Sequence, residues 1–210
     1  MTKWIVLGLL VVLPVALMYD RLLTMPPEFL FLLALMLTFI AAFVWRSVRR
    51  VRRLQRHTAG LHDELTAAVR RRREGAEVFI AALRKTGYSS GAHQALEEAA
   101  SAVAHAEAAG LQELAKANEQ LKQALLQAYQ GLPPQRLEEV RQAHNALAQA
   151  EEELDLARSK YNQTAYYHNR TLRRFTYRLL SPWTKATPAE MFLIPGEERT
   201  FLQHYSMWSR

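Results

Sequence analysis

One apolar stripe across residues 137–179 constrains this chain more than any other feature. It passes through Leu137, Val140, Ala143, Leu147, Ala150, Leu154, Ala157, Tyr161, Ala165, His168, Leu172, Phe175 and Leu179. Its steps are mostly three and four residues, a period near 3.5. That period keeps one seam of a helix turned toward partner helices along its whole length. A helix of this kind cannot stand alone in water, so other long helices must cover it. Sustained strand alternation is missing from the chain, and Gly and Pro are confined mostly to breaks between periodic runs. The chain reads as all-α.

Punctuation divides the rest. The segment from Arg46 to Lys85 continues the preceding apolar run without a Pro or a Gly-Gly pair, with Gly60 and Gly75 only weak points. Thr86-Gly87-Tyr88-Ser89-Ser90-Gly91 is a turn, and Ser90 or Gly91 is placed to cap the next helix. That helix runs from about Ala92 to Gln130 and is rich in alanine, so neighbours can approach closely. Gly110 is a point where it can bend or break. Gly131-Leu132-Pro133-Pro134 ends it, and a further helix runs to about Leu180. The expectation is an elongated antiparallel bundle of three long helices, or four if the second breaks at Gly110. Residues 1–45 form a membrane region, 46–180 the bundle, and 181–210 an extended tail. With unbroken helices, the first and last run the same way. Glu138 to Asp155 then lies level with Arg52 to Arg70, and Arg158 to Arg178 level with Glu97, Glu98 and Glu107.

Several quoted residues along the stripe carry a resemblance. Arg158-Ser159-Lys160-Tyr161-Asn162 is followed by His168-Asn169 and by Arg173-Arg174-Phe175. This series resembles the LemA family, whose last long helix carries Arg-x-x-Tyr-Asn, Tyr-Asn and Arg-Arg-Phe-Pro. His168 replaces the second tyrosine, and Thr176 stands where proline is usual. Thr187-Pro188-Ala189-Glu190-Met191-Phe192 is similar to the family's Lys-Pro-x-Glu-Tyr-Phe, so Pro188, Glu190 and Phe192 match. The resemblance extends from about Arg70 to Phe192 and implies a membrane-anchored helical protein whose motif residues are structural. The family's molecular role is poorly defined, so the resemblance carries architecture and location further than function.

Two uncharged apolar runs, 4–18 and 29–45, precede the bundle. Each is slightly short of the roughly 20 residues that span a bilayer, but flanking residues can extend them, and Trp4 and Trp45 suit the interfaces. A cleaved signal peptide fits the first run poorly, because its n-region has only Lys3 and Ala16-Leu17-Met18 lacks the small-x-small cleavage pattern. Family members usually show one such segment, so the second is a departure. Arg46, Arg49, Arg50, Arg52, Arg53 and Arg56 follow the second run directly, while the loop between the runs holds only Asp20, Arg21 and Glu28. Excess Lys and Arg marks the cytoplasmic flank. The expectation is a two-span protein of the bacterial inner membrane with its C-terminal body in the cytoplasm.

The formal net charge of +7 conceals segregation. Ten arginines fall between Arg46 and Arg73, thirteen acidic and six basic residues between Glu74 and Asp155, and seven basic residues without an acid between Arg158 and Lys185. A basic block beside an apolar run points to anionic lipid headgroups, and with no base-stacking module present nucleic acid is not expected. Arg70-Arg71-Arg72-Arg73 wraps the whole helix, so at least one arginine must point near the seam; surface snorkelling is the simplest account. Glu151-Glu152-Glu153 reads as a solvated face.

Chemistry has little to stand on. The chain contains no cysteine, which removes disulfides, thiolate metal sites and cysteine nucleophiles. The seven histidines make no ligand set; His57 and His62 are five apart and do not stack on one helix face. No cofactor, metal or catalytic constellation is expected. His168 lies on the seam and reads as a buried histidine bonded to a neighbour, with a pH-sensitive switch as the alternative. Tyr161 reads as interior, and Asn162 and Asn169 as members of a polar layer. The function implied is a non-catalytic scaffold or adaptor, acting through an unidentified protein partner or self-association. The alternative is a regulatory sensor relaying a membrane or lipid signal.

Overall fold

The computed structural model describes residues 26–85, 87, 91–174, 177, 184–194 and 197, and these contain four α-helices and no strand. Helix α1 spans Pro27–Lys85, α2 Gly91–Ala109, α3 Leu111–Gln130 and α4 Pro134–Arg173. The run 4–18, Phe175 and Leu179 lie outside the described residues. The chain divides into two compact units, Met1–Arg50 and Val51–Arg210.

In the first unit, α1 is the one helix among the described residues long and apolar enough to cross a membrane. Phe29, Phe31, Leu32, Leu35, Phe39 and Phe43 are all exposed. Core helices of a soluble protein hide such side chains, and an exposed apolar surface of this extent is compatible with membrane anchoring. Arg49 lies over the Trp45 ring, 4.6 Å from its centroid. That is a cation–π contact at the point where apolar sequence gives way to arginine.

In the second unit, the 3.5 period reappears on α1. Val51, Thr58, Leu65, Arg72 and Phe79 follow one another at intervals of seven, and all are buried. Leu83 extends this face, and α4 presents Val140, Ala143, Leu147, Leu154, Ala157, Tyr161, Ala165 and His168. Leu65, Phe79 and Leu83 of α1 and the stretch from Val140 to Ala165 of α4 contribute to one core with the buried leucines and alanines of α2 and α3.

The second helix breaks at Gly110. Its φ of 121° and ψ of 169° lie in a region that side chains with a Cβ scarcely enter, and its carbonyl accepts from Leu114 N–H at 3.0 Å. Helix α3 therefore turns back on α2. Ala95, Glu98, Ala99 and Ala102 share a cleft with Gln120, Gln123, Ala124 and Gln127, positions symmetrical about the glycine. Residues so far apart on a continuous helix would be about 40 Å distant. Buried alanines on both arms let the backbones approach. A second turn uses Gly131 N–H to the Gln127 carbonyl and Pro134 at the first position of α4.

The hairpin reverses the expected register between the first and last helices. Residues of α1 meet α4 in descending order: His62 with Tyr161, Glu64 with Lys160, Arg71 with Glu153, Arg72 with Glu151, Gly75 with Leu147. They run antiparallel, not the same way, because one extra reversal at Gly110 adds a helix between them. Thus Arg158 to Arg174 does not lie level with Glu97, Glu98 and Glu107. Those acids lie along α2; Glu97 pairs with Arg84, and Glu107 with Arg70 and Arg73. The result is an up-and-down four-helix arrangement.

Candidate functional site

Beyond the tip of the α2–α3 hairpin, no helix among the described residues covers the α1–α4 seam. The segment 184–194 does so instead. From Lys185, whose φ is 49°, to Ile194 it has neither helix nor strand, runs antiparallel to α4, and is held by the residues that the sequence motif singles out. The side chain of Asn162 donates to the Phe192 carbonyl and accepts from Phe192 N–H, both at 2.8 Å. Asn169 repeats this with Ala189, donating to its carbonyl at 2.8 Å and accepting from its N–H at 2.7 Å. Beside these pairs, Tyr161 Oη donates to the Glu190 carbonyl at 2.5 Å, and His168 Nε2 lies 3.0 Å from the Thr187 carbonyl oxygen. Arg158 pairs with Glu197 at the far end.

The spacing explains the chemistry. A helix has no spare mid-helix backbone groups, so it cannot pair with an extended strap as another strand would. A primary amide carries a carbonyl and an N–H donor side by side, and can stand in for a peptide unit. Seven helical residues advance about 10.5 Å, and three extended ones about 10 Å. Asn162 and Asn169 therefore meet Phe192 and Ala189 in register. The strap buries Phe192 to 1 % exposure, and its ring shares a cleft with Asn118, Leu154 and Ile194.

Tyr161 and His168 are 3 % and 2 % exposed. Tyr161 meets His62 of α1 edge to face, with centroids 5.9 Å apart. Burial, with a smaller contribution from the Glu190 carboxylate, pushes the Tyr161 phenol up to about 12, so it serves as a neutral donor. Asn162 and Asn169 bond the strap rather than forming a layer between helices. Pro188 and Glu190 are exposed on the strap; Glu190 contributes its backbone carbonyl. Arg173 is exposed in the last turn of α4, and Arg174, also exposed, is its C-cap. Phe175 lies outside the described residues.

A second constellation joins two stretches that the sequence singled out separately, Arg70 to Arg73 and Glu151 to Glu153, and Arg72 is the arginine that points into the seam. Arg72 is 2 % exposed and donates to Asn118 Oδ1 at 2.8 Å, to the Asn118 carbonyl at 3.2 Å and to Glu151 at 2.6 Å. It ties α1, α3 and α4 together. Snorkelling therefore does not describe Arg72, and Glu151 and Glu153 are ion-pair partners of the arginine run rather than a merely solvated face. The signal was present: Arg72 falls midway between Leu65 and Phe79 on the heptad series. Glu97, bonded by Arg84, has its carboxyl held below the usual range, chiefly by that hydrogen bond.

Arg46, Arg49, Arg50, Arg52, Arg53 and Arg56 are all exposed, and none forms an ion pair with a described residue. Among the described residues no three His, Asp or Glu converge in a way that could hold a metal ion.

A helical bundle with a motif-held C-terminal strap, following an apolar helix, defines the structural class. The chain belongs to the LemA family, whose model matches residues 62–203 and so includes every strap contact described above. The match is wider than the resemblance from Arg70 to Phe192. No curated protein and no solved structure matches the chain.

Proposed function

We propose that this LemA-family protein is a non-catalytic, membrane-anchored scaffold or adaptor. Its bundle lies on the cytoplasmic side of the bacterial inner membrane. The observation that carries this reading is the junction within α1. An apolar surface exposed from Phe29 to Trp45 is followed at once by six exposed arginines, and the same helix then supplies the buried face of the bundle. The first part is suited to hydrocarbon, the second to anionic headgroups and cytoplasmic retention, the third to a folded body. The apolar run 4–18 acts as a second span, which makes the protein multi-pass.

The non-catalytic reading rests on how the polar groups are used. The buried Tyr161, Asn162, His168 and Arg72 are engaged in joining elements. A protein partner or a second copy would use the bundle surface, where Leu126 and Tyr129 are exposed beside a groove between α3 and α4. Two treatments test the proposal. Carbonate and high-salt washing should leave the full-length chain with membranes, and release by salt would refute insertion. Replacing Arg49, Arg50, Arg52 and Arg53 with glutamate should mix or invert the topology read by reporters fused after Arg210. Crosslinking in native membranes followed by capture identifies partners.

A further inference from the structure

The antiparallel register has a consequence for charge. Proceeding from Leu147 beside Gly75 to Tyr161 beside His62, α4 approaches the start of the second unit, and its last turn comes level with Arg52 and Arg53 of α1. Arg173 and Arg174 thus belong to the same end of the unit as Arg52, Arg53 and Arg56. The strap adds Lys185, because His168 meets Thr187 and the strap runs antiparallel to α4 from there. Arg173 and Pro188 already share one cleft. All six cations are exposed and without an ion pair among the described residues.

The described segments at this end carry no acidic residue. Helix α1 has none between Glu28 and Asp63, and the sequence from Leu156 to Ala189 has none at all. At the other end, the arginines of α1 are matched by Glu97, Glu107, Glu151 and Glu153. A favourable interaction with the helix dipole accounts for arginine in the last turn of α4, but not for Lys185 or the α1 residues. Arg52 follows Trp45 by seven residues, at most about 25 Å of chain even fully extended. Whatever the relation between the two units, this cluster is tethered near the end of the apolar segment.

We propose that Arg52, Arg53 and Arg56 of α1, with Arg173 and Arg174 of α4 and Lys185 of the strap, form one composite face that binds anionic lipid headgroups. It rests on the anchoring reading and goes further, because half of the face comes from the far end of the sequence and is assembled only by the antiparallel fold. Nucleic acid would suit the charge, and the Tyr166–Tyr167 ring pair with its exposed Tyr167 lies on the same part of α4, but the tether holds the face beside a bilayer. Lipid contact by the α4 and strap residues also brings the base of the bundle against the membrane. Each well-placed cation changes the bound-to-free ratio about fivefold.

The chain has no cysteine, so one label can be placed without background. Full-length Gln163→Cys protein, labelled there, is reconstituted into vesicles of phosphatidylcholine alone or with phosphatidylglycerol. Energy transfer to a headgroup-labelled lipid reports the approach of the bundle. The expected result is higher transfer in the anionic vesicles, reversed by high salt. Arg173→Glu with Arg174→Glu should lower the bound-to-free ratio at least about 25-fold. Equal transfer in both vesicle types, or no response to the α4 pair when Arg52→Glu with Arg53→Glu abolishes the effect, would overturn the composite face. Displacement by RNA at equal charge, with RNA retained by the detergent-solubilised protein, would overturn it in favour of nucleic acid. Carbonate extraction of the same vesicles separates the two levels. A carbonate-resistant protein with no charge-dependent approach sinks this inference alone; an extractable one sinks the anchoring reading.

Discussion

Asn162 and Phe192 exchange two hydrogen bonds of 2.8 Å, so a side chain on a helix pairs with a backbone thirty residues away as though it were a neighbouring strand. Both residues are buried, and the arrangement fixes the strap in one register. Replacing Asn162 with alanine leaves the Phe192 N–H and carbonyl without partners in an interior position. A loss of roughly 2–4 kcal/mol is expected, larger than for one exposed hydrogen bond. Aspartate supplies the acceptor but not the donor, so Asn162→Asp should not restore full stability near neutral pH. Thermal melting of the protein carrying each change decides this; a parental melting temperature for Asn162→Ala would mean that the strap contributes nothing to stability.

Arg72 and Glu151 make a second prediction, because their burial is unequal. The Arg72 side chain is 2 % exposed and that of Glu151 40 %. Removing the carboxylate strands a charge in the core, whereas removing the arginine leaves an acid that can turn to water. Glu151→Ala is therefore expected to destabilise by about 3 kcal/mol or somewhat less, and Arg72→Met by less. In the double variant Arg72→Met with Glu151→Ala, much of the loss should be recovered. Denaturant unfolding of all four proteins gives the coupling; additive losses would show that the pair is not an energetic unit.

The parts of the fold legible in sequence are those set by periodicity. The α4 stripe from Val140 to His168 is buried except for the half-buried Ala150, and Gly131 with the prolines marks a real turn. Gly110 was visible as a weak point, but whether a lone glycine bends a helix or reverses it depends on the packing of both arms, which local sequence does not encode. Everything downstream of that choice changed with it, including the direction of α4 relative to α1 and the partners of Glu151 and Glu153. Charge matching favoured the wrong register, since blocks of opposite sign can be aligned in more than one way at little energetic difference. The role of Asn162 and Asn169 was hidden for another reason. Their partners are backbone atoms of Phe192 and Ala189, and backbone groups leave no residue-type signature.

The glycines offer a paired test of that reversal. At Gly110 the φ of 121° strains any residue with a Cβ, although no neighbouring atom would meet it within 4 Å. Gly110→Ala should cost about 1–3 kcal/mol from backbone strain alone. Gly60 lies inside α1 with nothing within 4 Å of a built Cβ, so Gly60→Ala should gain about 0.5–1 kcal/mol through helix propensity. Opposite shifts in melting temperature are expected, and stabilisation by Gly110→Ala would indicate a continuous second helix.

Tyr161 predicts an alkaline response. Its phenol has an ordinary value near 10 in the unfolded chain and about 12 in the folded one. Below pH 10 both states hold the proton and the group adds no pH dependence. From pH 10 to about 12 the unfolded state loses its proton first, so stability falls as pH rises, by at most about 3 kcal/mol. Tyr161→Phe removes this titration along with the bond to Glu190. The stability difference between parent and variant should therefore be constant up to about pH 9.5 and shrink above it. A difference that stays constant to pH 11.5 would place the phenol in water.

His168→Tyr, which restores the residue usual at this position in the LemA family, is the sharpest test of how tightly the strap is seated. The imidazole is 2 % exposed, and its Nε2 already lies 3.0 Å from the Thr187 carbonyl oxygen. A tyrosine in the same rotamer reaches farther than that nitrogen, so its hydroxyl would overlap the Thr187 carbonyl. The strap must shift outward, or the ring must leave its rotamer. Overpacking of this kind costs about 1–3 kcal/mol, and the neighbouring Asn169–Ala189 pair should loosen with it. Hydrogen exchange at the Ala189 amide reports the pair directly, because Asn169 Oδ1 is its acceptor at 2.7 Å. Faster exchange at Ala189, with Phe192 less affected, is the expected pattern. Unchanged exchange together with an unchanged melting temperature would mean that the site already has room for tyrosine, and that the histidine is not what sets the position of the strap.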